Sequence, residues 1–180
     1  MRLSIPIIVC LSLFLVAMAP VRLSIDAMTI DTNAKVKALF IYNFSKYIEW
    51  PSTMDGATFQ IAVLGEYPTL MSELNNMATT KKAGNRPFEI RNYNDVNQLG
   101  SCHILFVESK YSSEIANIVN RLQGRNTLLV TEGEGLAQSA SAINFFYADN
   151  KQRMEINQAN IVKYNLKVSS KLLAIAKVVN

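Results

Sequence analysis

A chain of 180 residues with 49% hydrophobic and 18% charged residues has the composition of a globular protein, which excludes a disordered or fibrous one. The formal net charge of +4 is mild; Lys81, Lys82, Arg86 and Arg91 come near one another, as do Arg121 and Arg125, but no basic run has interleaved aromatics, which argues against a nucleic-acid partner. With Cys10 and Cys102 its only cysteines, the chain cannot be a disulfide-stapled scaffold, and cohesion falls to a hydrophobic core.

Residues 1–27 read as a secretory signal peptide. Arg2 is a short positive n-region, Leu3 to Met18 is an apolar run broken only by Ser4, Pro6 and Ser12, and small residues follow. That run is shorter than the roughly 20 residues of a membrane span, which favours a signal over the alternative of an uncleaved anchor. Cleavage is expected at Ala17-Met18-Ala19 or near Ala27, and bulky Ile8 and Val9 before Cys10 argue against a lipoprotein site. Residues 28–180 are then one exported domain, with Cys102 its lone, buried thiol.

Ala34 to Pro51 dominates what remains. It has no Gly and no internal Pro, and Val36, Phe40, Phe44 and Tyr47 recur at helical spacing, broadened by Leu39, Ile41 and Ile48. Asp31, Thr32 and Asn33 are N-cap candidates, and Pro51 is expected to stop the helix just past Trp50. Asn43 falls on the apolar stripe, so its amide is expected to be buried and bonded to loop backbone. A polar turn, Ser52 to Ala57, leads to a strand at Phe59–Leu64 closed by Gly65. Pro68 to Met77 suits a helix, Lys81 to Asn85 a loop, and Phe88 to Tyr93 a half-exposed strand. After one helical turn at Asp95–Leu99, His103 to Val107 is the most continuously apolar strand. Ser112-Ser113 should cap a helix through Leu122, and Thr127 to Thr131 is another buried strand. Ala142–Tyr147 and Gln152–Ile156 flank a turn-rich tetrapeptide and predict a β-hairpin. Asn157 can cap a helix through Tyr164, and Ser169 or Ser170 a final helix carrying Leu172, Leu173, Ile175, Val178 and Val179. The alternation predicts an α/β fold of three layers: a mostly parallel sheet of about six strands, helices on both faces, and a C-terminal β-hairpin plus helices.

Catalytic chemistry finds little support. His103, the only histidine, adjoins Cys102, but neighbours on a strand point to opposite faces and cannot form a nucleophile–base pair. The same geometry argues against a metal held by Cys102, His103 and Glu108. Glu132-Gly133-Glu134-Gly135 lacks the phosphate-loop pattern, and its carboxylates would repel a phosphate. No cofactor or metal site is expected.

Several segments together resemble the YfiR-like (YfiR/HmsC) family of periplasmic regulators. They are Lys35 to Phe44 running on to Glu49-Trp50-Pro51, Ile61 to Gly65, Leu99 to Phe106, and Leu128 to Gly135. Ile143-Asn144-Phe145, Met154 to Asn157 and Leu166 to Leu173 complete the match. The resemblance implies a non-enzymatic periplasmic protein that binds the periplasmic part of an inner-membrane diguanylate cyclase or histidine kinase. It would hold that target inactive until envelope stress or sequestration by an outer-membrane partner relieves the repression, in cyclic-di-GMP signalling and biofilm control. Redox-responsive members use several cysteines; Cys102 stands alone here, so only an intermolecular bridge could carry such a switch. The docking candidates are Tyr42, Tyr47, Glu49 and Trp50 near the end of the first helix, and Tyr147 and Arg153 on the hairpin, because Trp, Tyr and Arg are the usual interface anchors. The alternative is a small-ligand binder using the crevice at the strand C-ends near Gly65, Glu108 and Glu132. Whether the domain pairs into a homodimer is left open.

Overall fold

The computed structural model describes residues 31–180; the expected signal peptide and Cys10 lie outside them. Helix α1 spans Thr32–Tyr47 and starts at Asp31, whose carboxylate accepts the Asn33 and Ala34 N–H groups at 3.1 Å each. It buries Ala34, Lys37, Ala38, Ile41 and Phe44, a stripe offset from the expected one; Val36 and Phe40 are half-buried and Leu39 is 60% exposed. The helix ends before Trp50, because Ile48–Glu49 is a short strand, β1, antiparallel to β9 at Lys167–Val168. Asn43 is half-buried, not buried, so water can satisfy its amide and the expected loop-backbone bond is not needed.

The main sheet has eight strands in the order β10-β8-β7-β6-β5-β2-β4-β3. Its centre is parallel: β4 (Arg86–Tyr93), β2 (Phe59–Leu64), β5 (Ile104–Val107), β6 (Leu128–Glu132) and β7 (Ile143–Ala148). Buried on both faces, β2, β5 and β6 read as continuous apolar runs. Strand β3 (Lys82–Ala83) turns back onto β4 where a plain loop was expected. Strand β8 (Lys151–Asn157) closes the expected hairpin with β7 through Asp149 and Asn150, both left-handed at φ +51° and +56°, as a type I′ turn requires.

Helices cover both faces. Phe59, Phe88, Phe106 and Phe145 share one face by register, and α1 lies across it: Phe44 sits 6.1 Å from Phe145, and Tyr42 meets Phe88 edge-on at 6.1 Å. Each fully buried phenylalanine contributes about 1.5–3 kcal/mol. Helix α2 (Pro68–Thr80) packs beside α1, and right-handed crossovers put α3 (Ile115–Leu122) and α4 (Leu136–Ser139) on the opposite face. A 3-10 turn at Ser109–Glu114 precedes α3 in place of the expected Ser112-Ser113 cap.

The chain end differs from expectation. Asn157 does cap α5 (Gln158–Lys163), its side chain accepting the Asn160 N–H at 3.1 Å. Ser169 caps α6, but that helix is only Ser170–Leu173. Lys177–Val179 is instead β10, parallel to β8. Lone helical turns are weak, whereas β-branched Val178 and Val179 gain ladder hydrogen bonds on an available sheet edge. Among the described residues no helix is long and apolar enough to cross a membrane.

Candidate functional site

The strand order reverses between β2 and β5, where doubly wound folds hold ligands outside the strand C-ends. In this protein the crevice holds its own side chains. Gly65 has φ +132°, and a Cβ there would stand 2.2 Å from Glu108 Oε2, so only glycine lets the carboxylate fold in. Glu108 accepts the Glu66 N–H at 2.8 Å and pairs with Lys110 at 3.3 Å.

Beside it, α1 inserts Lys37, which is 2% exposed. Its Nζ lies 2.7 Å from Glu132 Oε1, donates to the Tyr67 hydroxyl at 3.1 Å, and sits 4.9 Å from that ring's centre. Tyr67 donates in turn to Asp31 at 3.2 Å, which also accepts Thr69 at 2.9 Å. Burial pushes Asp31 up, but the bonds from the Ala34 N–H, Thr69, Tyr67 and the Asn33 N–H outweigh it and hold the carboxyl below its ordinary value. Burial raises Tyr67. A cavity of about 590 Å³ remains alongside, lined by Glu66, Tyr67, Pro68, Met71, Ser72 and Asn92. Among the described residues no buried side-chain nitrogen or oxygen lacks a partner.

His103 and Cys102 are both held inside the fold. His103 Nδ1 accepts the Gln60 N–H at 3.0 Å, which leaves the proton on Nε2 to donate to the Met54 carbonyl at 2.9 Å. Burial lowers its pKa. Cys102 is 2% exposed and burial pushes its thiol up to about 12, so a bridge between chains would first require the fold to open.

The docking candidates fall in three places. Tyr42 is half-buried in a groove between α1 and α2, with Leu39, Met77 and Lys81, and Lys46 Nζ lies 4.3 Å from its ring centre. Tyr47 is the last residue of α1, and Glu49 and Trp50 follow it, by the strand N-ends. Tyr47 is half-buried and its carbonyl accepts the Ser169 N–H at 2.8 Å; Glu49 is exposed on β1. Trp50 is half-buried: its indole donates to the His103 carbonyl at 3.2 Å, and its ring meets Phe59 edge-on at 5.0 Å. The hairpin residues face opposite ways. Arg153 is registered opposite Phe146 and shares its face, while Tyr147, 59% exposed, points from the other.

Along the outer edge of β8, where Phe146 and Arg153 of one face meet Phe40 and Met154 of the other, lies a groove of about 410 Å³ that sequence reasoning missed, also lined by Ile175 and Lys177. Arg153 pairs with Asp149 at 3.1 Å and Lys177 with Glu155 at 2.9 Å. Ile175 is 59% exposed and Val178 46%. Assigned to a helix, both would have turned inward; the signal that could have found them was the β-branched pair Val178-Val179.

A family model described as YfiR/HmsC-like matches residues 34–177. No curated protein matches the chain. Among solved structures, the ABC domain in complex with L-Trp from Streptococcus pneumonia matches with a TM-score of 0.54 and 8% identity, over 77% of this chain and 59% of that one. At that identity the likeness is one of fold alone.

Proposed function

The chain belongs to the YfiR/HmsC-like family of periplasmic, non-catalytic regulators, and from that premise we propose that it represses an inner-membrane signalling protein, a diguanylate cyclase or sensor kinase, by binding its periplasmic domain. A protein without catalytic groups regulates only by binding one state of its target more tightly than another. The observation that carries this reading is the groove at the β8 edge of the hairpin. There Phe40, Phe146 and a largely exposed Ile175 adjoin Arg153 and Lys177, a mixed polar and apolar lining whose two cations pair with Asp149 and Glu155. Tyr147, Tyr42 and the Tyr47–Glu49–Trp50 end of α1 extend the docking candidates around the domain.

Crosslinking in intact cells, with the protein tagged at Asn180, tests it. The expected result is recovery of one inner-membrane protein bearing a cyclase or kinase domain. Recovery should fall about tenfold or more with Ile175→Asp or Arg153→Glu while the melting temperature holds. Failure to recover any such protein from cells where the chain is abundant and folded would overturn the proposal. The cavity beside Tyr67 favours the second reading, a small-ligand binder. A metabolite that raises the melting temperature of the wild type, but not of a variant with Met71→Trp filling that cavity, would support it.

A further inference from the structure

We propose that the groove between α1 and α2 holds an amphipathic helix of a partner protein, one whose apolar stripe is flanked by aspartates and glutamates. The inference rests on the reading that the domain acts by docking, but it concerns a different surface from the groove at the β8 edge.

Two neighbouring helices build this groove. On α1, Lys35, Ala38, Leu39 and Tyr42 follow the i, i+3, i+4, i+7 spacing of one helix face; on α2, Glu73, Asn76 and Met77 share a face over one turn. Ala38 is 4% exposed, and its small side chain leaves a trough of about 270 Å³ among the larger Leu39, Tyr42 and Met77. The core does not use Leu39. Ala38 and Ile41 beside it on α1 are buried, whereas Leu39 is 60% exposed and Tyr42 and Met77 are half-buried. A single exposed leucine is ordinary on a protein surface. One that lines a trough with a tyrosine and a methionine is an unfilled apolar contact, and methionine adapts its shape to what fills it.

The rim decides the charge of the occupant. Lys35 and Lys81 line the groove, and Lys46 holds its Nζ 4.3 Å from the Tyr42 ring centre. All three lysines are exposed, and none forms an ion pair among the described residues. Among the described residues lining the groove, Glu73 alone is acidic. At the β8 edge, by contrast, Arg153 and Lys177 are already paired with Asp149 and Glu155. Unpaired cations around an apolar trough complement an apolar ridge bordered by carboxylates. The shape decides its form. A trough between two helices admits a third helix laid along them, whose i, i+3 or i+4, and i+7 side chains reach down to Ala38. A bilayer surface, flat on this scale, would meet Leu39 and the lysines and leave the trough unfilled.

Fluorescence anisotropy on the protein purified from the periplasm tests the proposal. The probe is a labelled synthetic peptide of about 18 residues, five helical turns, stapled to hold it helical. It carries leucines at i, i+3, i+4 and i+7 spacing and glutamates on both flanks; its twin has lysine for every glutamate. The wild type should bind the glutamate peptide at tens of micromolar and the twin about tenfold or more weakly, and added salt should weaken the first. L39E should lose about tenfold or more in affinity with its melting temperature unchanged, because Leu39 already faces water. K35E/K81E should reverse the preference and bind the lysine twin, a gain that a misfolded chain would not show. Ile175→Asp, which alters only the β8-edge groove, should bind like the wild type, so failure of that docking surface and failure of this one are told apart. A wild type that binds neither peptide, equal binding of the two, a K35E/K81E variant that keeps the wild-type preference, or Leu39-dependent binding to phosphatidylglycerol vesicles in place of the glutamate peptide would each overturn it.

Discussion

The buried pair Lys37–Glu132 makes the sharpest prediction, because its two members differ in exposure. The Lys37 side chain is 3% exposed and that of Glu132 29%. Removing Glu132 strands a cation in the core with only the Tyr67 hydroxyl and ring beside it. Removing Lys37 leaves a carboxylate that water already reaches. Breaking a buried pair typically costs about 3–5 kcal/mol, so Glu132→Leu should sit in that range. Lys37→Met keeps most of the apolar stem and should cost about 1–2 kcal/mol, with Glu132 rehydrated and Tyr67 still bonded to Asp31. The double variant Lys37→Met/Glu132→Leu strands no charge and should return to within about 1 kcal/mol of wild type. Urea unfolding of the four proteins gives the double-mutant cycle. For a domain of this size each kcal/mol should also move the melting temperature by about 2–4 °C. Equal costs for the two single variants, or a double variant that shows their simple sum, would refute the argument that Lys37 is the stranded partner.

His103 makes stability depend on pH. Its pKa in the fold is lowered by burial, so above about 6.5 the residue is neutral both folded and unfolded and contributes fully. As pH falls below that value the unfolded chain takes up a proton that the fold resists, so unfolding free energy should decline there, and His103→Asn should flatten the decline. Trp50 tests packing against docking: Trp50→Phe loses the bond to the His103 carbonyl and should cost about 1 kcal/mol, whereas Trp50→Ala, which also vacates the contact with Phe59, should cost about 2–3 kcal/mol, both read by chemical denaturation. At the hairpin tip, Asn150→Ala must hold a left-handed φ of +56° and should lower stability by about 1 kcal/mol, while Asn150→Gly should be neutral or stabilising.

Much of this protein was legible in local sequence. Asp31 and Asn157 cap helices because a short side chain one residue upstream can accept free N–H groups. Phe59–Leu64, Ile104–Val107 and Leu128–Glu132 are strands because β-branched and apolar runs suit a sheet buried on both faces. The hairpin followed from a turn tetrapeptide between alternating segments. The family, too, was readable from segments in order along the chain.

What tertiary structure alone decided were features made by partners distant in sequence. Ile48–Glu49 left the helical pattern because Lys167–Val168 offered it a ladder, a contact no local window contains. Ile175 and Val178 came to the surface because β8 presented an edge to which Lys177–Val179 could pair, where helical propensity alone would have wound them inward. Nothing in the local sequence around Lys37 marks it as buried; that it is depends on Glu132, 95 residues away, meeting it at 2.7 Å. Periodicity reports what a segment can bury, and only the assembled sheet supplies the counter-charge or strand edge that determines what it does bury.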